Sequence, residues 1–450
     1  METVDLAVIG AGPGGYVAAI RAAQSGKKVA LVEKEKLGGT CLHVGCIPSK
    51  TLLQYSEMIQ VIHKANEWGI QTESMSIDFL KLMKRKDHVV ETLTQGIHYL
   101  LKKNQISLFH GTAEINKELV VTIGNKQVQA QDVILATGSK PYIPSIPGIE
   151  HVDYLTTNSF FKLQELPKSL VIIGGGVIAI ELAFAMAPLG SSVTVLEVAN
   201  DILLTEDEDA RKVISKRLKK MGVRLITSAK IESVSKEGVL VEGTYYSYDQ
   251  LLVATGRTPN LEIANTLDLQ LDELGRYIAV DEHYETSVKH IYAIGDVIGG
   301  YQLAHAASAE GLTAVQAILG EDISLLNTTS IPRCIYTHPE IASFGLSEQE
   351  ALEKGYQVRT TLSSLSGNGR ALAMDETDGF VKIIADTTYG EILGAVIVAP
   401  NATELIQEVS AVKLTEGTMF ELSNLVQAHP TVSEAIGESA NAFFGLAIHK

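Results

Sequence analysis

The sequence predicts an α/β fold with two Rossmann-like dinucleotide-binding domains, followed by an α+β domain. Three observations carry this. One supersecondary unit occurs twice, each copy passing from an apolar strand through a glycine turn into an apolar helix and back to a strand ending in glutamate. The strands of both copies are continuously apolar, as parallel strands covered on both faces are. From about Ile331 the pattern changes to strands and helices without a glycine fingerprint.

The first copy runs from a strand at Leu6–Ile9 through Gly10, Gly12 and Gly15 to a strand at Val29–Val32 ending in Glu33. The second runs from Leu170–Ile173 through Gly174, Gly176 and Ala179 to Val193–Leu196 ending in Glu197. The spacing from first glycine to acid is the same in both. The first glycine permits the tight turn, the second lets the backbone approach a pyrophosphate, and the third position must be small so that helix and strand can pack. Ala179 meets that last demand. The pyrophosphate is expected on the N-terminus of the following helix, where free N–H groups and the helix dipole favour an anion. The acid is expected to accept hydrogen bonds from ribose hydroxyls. Glu197 would also repel a 2′-phosphate, and Val198, Ala199 and Asn200 supply no arginine to receive one, so the second unit reads as an NAD site rather than an NADP site.

Each unit is later followed by a strand ending in Ala-Thr-Gly, at Ala136–Gly138 and Ala254–Gly256. Pro141, Pro144 and Pro147 mark a linker between the units. Further strands are expected at Gly379–Ala385 and Glu391–Val398, with helices starting at Ala402 and Thr431. Ile77–Lys102 reads as an amphipathic helix packed through Phe79, Met83, Val89, Val90, Leu93, Ile97 and Leu101. The apolar run Val171–Leu189 is long enough to suggest a membrane span, but Gly174, Gly175, Gly176 and Glu181 interrupt it and Pro188 ends it. A buried strand-turn-helix accounts for it better.

With 450 residues the chain has length for about three domains. Its 37 basic and 53 acidic residues give a net charge of −16, which disfavours nucleic acid or an anionic membrane as a partner. The N-terminus lacks the features of a signal peptide, and a cytoplasmic protein is expected. Three cysteines are too few for a disulfide scaffold, so the close pair Cys41 and Cys46 reads as redox-active. A thiol at a helix N-terminus has a depressed pKa, and Pro48 marks a helix entry here. A metal site is the alternative, but His43 alone cannot complete the ligand set; no metal is expected. Cys334 reads as a buried structural thiol.

The run Gly38-Gly39-Thr40-Cys41-Leu42-His43-Val44-Gly45-Cys46-Ile47-Pro48-Ser49-Lys50, the two fingerprints, Ala136-Thr137-Gly138, Ala254-Thr255-Gly256-Arg257, Ile294-Gly295-Asp296 and His429-Pro430-Thr431-Val432-Ser433-Glu434 form an ordered set. By these the chain resembles the flavin-dependent pyridine nucleotide-disulfide oxidoreductases from its first strand to its last helix. The resemblance implies nesting: Ile291–Asp296 returns to the first domain, giving an FAD-binding domain in segments 1–145 and 271–328, an NAD-binding domain at 146–270 and a dimerisation domain at 329–450. It implies FAD on Gly10, Gly12, Gly15, Glu33, Lys34, Gly39, Thr40, Cys41, Lys50, Ala113, Thr137, Gly138, Gly295, Asp296 and Ala304. NAD is implied on Gly174, Gly176, Ala179, Glu181, Glu197, Ile231 and Gly256.

The resemblance further implies that Cys46 lies nearer the flavin, that Cys41 exchanges with substrate, and that Lys50 pairs with Glu181 near flavin and nicotinamide. His429 would be the acid/base and Glu434 would hold its ring, while a purely structural reading makes Thr431 and Glu434 a capping box. His43 departs from the asparagine common in the motif; its place between the thiols could shift their pKa, or it could be a bystander. The activity implied is oxidation of dihydrolipoyl groups with NAD⁺ by a homodimer that serves a lipoyl-bearing acyltransferase or carrier protein. Two rivals stand beside it: a reductase of another disulfide or of a metal ion, and a non-enzymatic flavoprotein docked in a complex. A mercury-type member would carry a C-terminal cysteine pair, which Phe443–Lys450 lacks.

Overall fold

The run Val29–Glu33 is buried at every position, and this strand is one half of the first repeated unit. The computed structural model describes residues 1–71, 75–322 and 325–449. In it β1 (Glu2–Ile9), α1 (Pro13–Gln24) and β2 (Val29–Glu33) form a βαβ unit, with Leu6–Ile9 paired in parallel to Val29–Val32. Pro13 sits at the first position of α1, where its missing N–H leaves no bond unmade. Then follow α2 (Gly39–Val44), α3 (Cys46–Glu67), α4 (Phe79–Lys103), β3 (Ser107–His110), β4 (Ala113–Ile115), β5 (Val120–Ile123) and β6 (Lys126–Leu135). The sheet order is β3-β2-β1-β6-β5-β4, and the distant strand Ile291–Ala293 pairs in parallel with β6.

A short strand, β7 (Ser139–Pro141), leaves this sheet. After α5 (Thr157–Phe160) the second unit comprises β8 (Ser169–Ile173), α6 (Val177–Met186) and β9 (Ser192–Leu196), and Leu170–Ile173 pairs in parallel with Val193–Leu196. Strands Arg224–Ile226 and Gln250–Val253 complete a four-stranded parallel sheet. Helix α6 is apolar nearly all round and buried from Ala179 to Met186, as a helix without a polar face must be. No helix among the described residues is long and apolar enough to cross a membrane.

The third domain is a five-stranded antiparallel sheet in the order Arg333–Ile335, Glu340–Gly345, Ile392–Ala399, Phe380–Asp386, Val358–Ser364. Its central strand is buried throughout, and helices Ala402–Leu414 and Glu434–Phe443 pack on the sheet. The last helix starts at Glu434 rather than Thr431. The Thr431 hydroxyl donates to the Ala428 carbonyl and so takes no N-cap role. In α4, Leu93 is exposed rather than packed, and the buried ridge carries Lys86 instead, whose ammonium donates to the Phe161 carbonyl at 2.6 Å.

A polar clamp ties the C-terminal part of α3 to the third domain. Lys64 donates to the Met374 and Asp375 carbonyls and to Glu376 Oε1 at 2.8 Å, while His338 Nε2 lies 3.0 Å from Glu376 Oε2. Burial pushes the Glu376 carboxyl up, but His338 and Lys64 outweigh it and hold the group at about 2. A carboxylate whose pKa is lowered on folding contributes stability above its unfolded value of 4.5 and loses it as pH falls through the folded value. The melting temperature should therefore fall between pH 4.5 and about 2, and Glu376→Gln should flatten that part of the profile. An unchanged pH profile in this variant would remove Glu376 from the account.

Candidate active site

The two glycine turns are near copies. Gly10 (φ +105°) and Gly174 (φ +116°) adopt conformations that L-residues avoid, and a Cβ there would lie 2.3 Å from the Ala136 and Ala254 carbonyl oxygens respectively. At Gly12 and Gly176 a Cβ would meet nothing within 4 Å. These two glycines are the N-caps of α1 and α6, and neither helix start has a side-chain cap. Open space over uncapped N–H groups suits the pyrophosphate of a dinucleotide, so FAD and NAD fit these cradles. A Cβ on Gly15 would lie 1.9 Å from the Gly10 carbonyl oxygen, while its counterpart Ala179 is fully buried.

The terminal acids are also matched. Glu33 accepts from Ala11 N at 2.8 Å and from Glu35 N at 2.7 Å. Glu197 accepts from Gly175 N and, at 2.7 Å, from Ala199 N. Each acid thus braces its own glycine turn.

Cys41 and Cys46 form a disulfide, with Cys41 in α2 and Cys46 as the first residue of α3. Gly45 breaks the chain between the two helices, and a Cβ there would lie 3.0 Å from the Thr40 carbonyl oxygen. The redox loop is seated on the first glycine turn: Gly38 N donates to the Ala11 carbonyl, and a Cβ on Gly39 would lie 2.9 Å from Gly12 Cα. His43 points to this same seat. Its Nε2 lies 2.7 Å from the Leu37 carbonyl oxygen, and since a carbonyl only accepts, Nε2 carries the proton. Burial lowers its pKa, against the opposing pull of the Leu37 carbonyl.

Lys50, on α3, meets Glu181, on α6, with its ammonium 3.0 and 2.9 Å from the two carboxylate oxygens. Glu181 lies in the second turn of α6, and its side chain is 5% exposed. A carboxylate so placed needs partners. The third domain supplies one more: Tyr336 N donates to Glu181 Oε1 at 3.0 Å, and the Lys50 ammonium lies 4.4 Å from the centroid of the Tyr336 ring. Tyr336 has no sequence signal that marks it, because its contribution to Glu181 comes from the backbone. Two residues earlier Cys334 is half-buried, less enclosed than expected. Burial, aided by Glu340 and Glu206, pushes its thiol up to about 11, so it stays protonated and poorly nucleophilic at neutral pH.

His429 Nδ1 lies 2.8 Å from Glu434 Oε1, and Glu434 Oε2 accepts from Thr431 N at 2.8 Å. Only the glutamate half of the expected capping box is made. The Thr431 N–H, then His429, lower the Glu434 pKa. An ionised carboxylate only accepts, so Nδ1 is the donor in this contact, and in the neutral tautomer it selects Nε2 is the nitrogen open to accept a proton. The His429 side chain is 80% exposed, and the hydrogen bond it makes, to Glu434, stays within its own domain.

Among the other expected cofactor residues, Lys34 and Thr40 are exposed, and Ala113 is buried at the start of β4. Thr137 Oγ1 donates to the Asn260 carbonyl, and Gly138 has φ +66°. Gly295 N donates to Glu310 Oε2 at 2.7 Å. Burial raises the Glu310 carboxyl, which that N–H pulls back down. Asp296 accepts from Ser139 Oγ. Ala304 opens the helix Ala304–Leu319. In the second domain Ile231 starts the strand Ile231–Ser235 and Gly256 is exposed at φ +108°. No cluster of metal-ligating side chains is present among the described residues.

Comparison with known proteins agrees with this architecture. The pyridine nucleotide-disulphide oxidoreductase profile matches residues 4–311, and the profile of that family's dimerisation domain matches residues 331–440. Dihydrolipoyl dehydrogenase of Bacillus subtilis is 42% identical over 99% of both chains, and that of Geobacillus stearothermophilus is 40% identical over 100% of this chain and 98% of the other. Among solved structures, LpdA from Mycobacterium tuberculosis superposes with a TM-score of 0.90 at 29% identity, covering 98% of this chain and 99% of its own. The HOCl-induced flavoprotein disulfide reductase RclA from Escherichia coli gives 0.86 at 29% identity, covering 97% and 99%. With matched glycine cradles, a disulfide seated on the first of them and family profiles that together span nearly its whole length, the chain belongs to the pyridine nucleotide-disulphide oxidoreductase family.

Proposed function

We propose that this protein is an NAD-dependent dihydrolipoyl dehydrogenase that uses FAD and the Cys41–Cys46 disulfide. The observation that carries the reading is the disulfide fixed against the first glycine turn, supported by full-length relatives of that name at about 40% identity. Relatives at 38–42% identity bear the same name, which favours it over a reductase of another disulfide or of a metal ion. On this reading the FAD-binding domain comprises 1–145 with 271–328, the NAD-binding domain 146–270 and the dimerisation domain 329–450, with FAD held by the first cradle and NAD by the second.

His429 Nε2 takes the proton of one substrate thiol, and Glu434 stabilises the resulting imidazolium through Nδ1–H. The substrate thiolate attacks Cys41 Sγ, forming a mixed disulfide and breaking the Cys41–Cys46 bond, which releases Cys46 as a thiolate. The second substrate sulfur displaces Cys41 and closes the lipoyl disulfide, its proton passing to the departing Cys41 sulfur, so two electrons reach the cysteine pair. Cys46 heads a 22-residue helix, whose free N–H groups and dipole favour its thiolate. FAD, when bound, supplies two-electron transfer between the dithiol and NAD⁺. Lys50 and Glu181 flank that exchange as a fixed charge pair. The exposed imidazole of His429, in the dimerisation domain, acts on the cysteines of a second copy, so the homodimer is the active unit. Its physiological partner is a lipoyl-bearing acyltransferase or carrier protein, in the cytoplasm.

Cys41→Ser should abolish lipoamide turnover while FAD stays bound and Cys46 still perturbs the flavin spectrum. Retention of full activity would sink the assignment. In steady-state assays NAD⁺ should exceed NADP⁺ by a large ratio in kcat/KM, because Glu197 repels a 2′-phosphate; a preference for NADP⁺ would refute that role. Loss of a general base typically costs about 10²–10⁴-fold, so His429→Gln should lose at least that in the lipoamide reaction. NADH oxidation by an artificial acceptor should survive in the same variant, since it bypasses the thiol step. Equal loss of both activities would instead mark the segment as structural.

A further inference from the structure

The two Ala-Thr-Gly motifs do more than finish their sheets. The chain just beyond them forms a small antiparallel ribbon, β7 against Arg257–Pro259, in which Arg257 lies opposite Pro141 and Pro259 opposite Ser139. The motifs are strapped to it reciprocally. Thr137 Oγ1 donates to the Asn260 carbonyl and Asn260 Nδ2 returns a bond to the Thr137 carbonyl at 2.8 Å; Thr255 Oγ1 donates to the Tyr142 carbonyl and Tyr142 N to the Gly256 carbonyl, both at 2.9 Å. The ribbon is thus a fastening between the two nucleotide domains.

A buried polar relay runs out of this ribbon to Asp296. Arg257 Nε donates to Ser139 Oγ at 2.6 Å and its Nη2 to the Ser139 carbonyl at 2.7 Å. Ser139 Oγ then donates to Asp296 Oδ2, and Arg257 Nε itself lies 3.6 Å from that oxygen. Ser139 is 9% exposed and the Arg257 side chain 12%. A serine hydroxyl has one proton, and accepting from Arg257 leaves that proton free for Asp296, which fixes the direction of the relay. The arrangement holds Asp296 by one oxygen only. Among the described residues Oδ1 has no hydrogen-bond partner and can accept from a ligand hydroxyl.

We propose that Arg257, from the second nucleotide domain, is a positioning residue for Asp296 in the first, acting through Ser139, so that retention of FAD depends on a residue outside the FAD-binding domain. This rests on the reading of Asp296 as an FAD ligand. The guanidinium sets the hydroxyl, the hydroxyl sets the carboxylate rotamer, and the preset carboxylate loses less rotational freedom when it engages the cofactor.

The test measures FAD release from purified holoenzyme, followed by the rise of free-flavin fluorescence after dilution. Arg257→Met and Ser139→Ala should each speed release about tenfold, the scale of one hydrogen bond to a charged group. Neither should speed it further in an Asp296→Asn background, because residues acting through one group are not additive. If Arg257→Met fails to fold, Ser139→Ala decides alone. Unchanged release in the single variants, with fast release in Asp296→Asn, overturns the relay and leaves Asp296 as a ligand. Additive acceleration in the double variants overturns it too, since Arg257 would then act independently of Asp296. Wild-type release in Asp296→Asn overturns the reading of Asp296, and the relay with it.

Discussion

The Glu181 carboxylate is where the three domains meet. It is nearly inaccessible to solvent, yet it accepts from an ammonium of the first domain and a backbone N–H of the third while standing on a helix of the second. A buried charge without its partner is strongly destabilising. The relative placement of the domains is therefore held at a point where misalignment would strand a charge. Since Lys50 lies one helical turn beyond Cys46 on α3, the same pairing fixes the direction in which the redox helix enters the junction.

The redox loop is anchored at its other end as well. Gly38 and Gly39 lie on the turn that contains Ala11 and Gly12, so the disulfide and the first cradle form one rigid piece rather than two elements that must find each other. His43 adds to this seat through Leu37.

The repeated units, the cysteine pair and the His429–Glu434 contact were all legible in the sequence, because each is set by short-range spacing or by a motif whose residues touch. The strands of both units lie where their apolar runs place them. What escaped was tertiary. Tyr336 contributes a backbone N–H, which has no residue signature, and Glu310, Ser139 and Arg257 become meaningful only when distant segments are brought together. Periodicity placed Leu93 on the buried ridge of α4, whereas Lys86 lies there because its ammonium finds the Phe161 carbonyl. The last helix starts later than its motif suggests because Thr431 bonds backward to Ala428.

The brace formed by Glu197 bears on any attempt to redesign the nucleotide preference. The carboxylate proposed above to exclude a 2′-phosphate is also the acceptor for Gly175 N–H and Ala199 N–H. Replacing it with a neutral or basic side chain would remove a charge repulsion and, in the same stroke, orphan two backbone donors, each costing about 1–3 kcal/mol where water cannot reach. On the proposed reading, recognition and scaffolding share one side chain, so a swap of cofactor specificity at this turn needs a compensating acceptor, and Glu33 imposes the same condition on the first cradle.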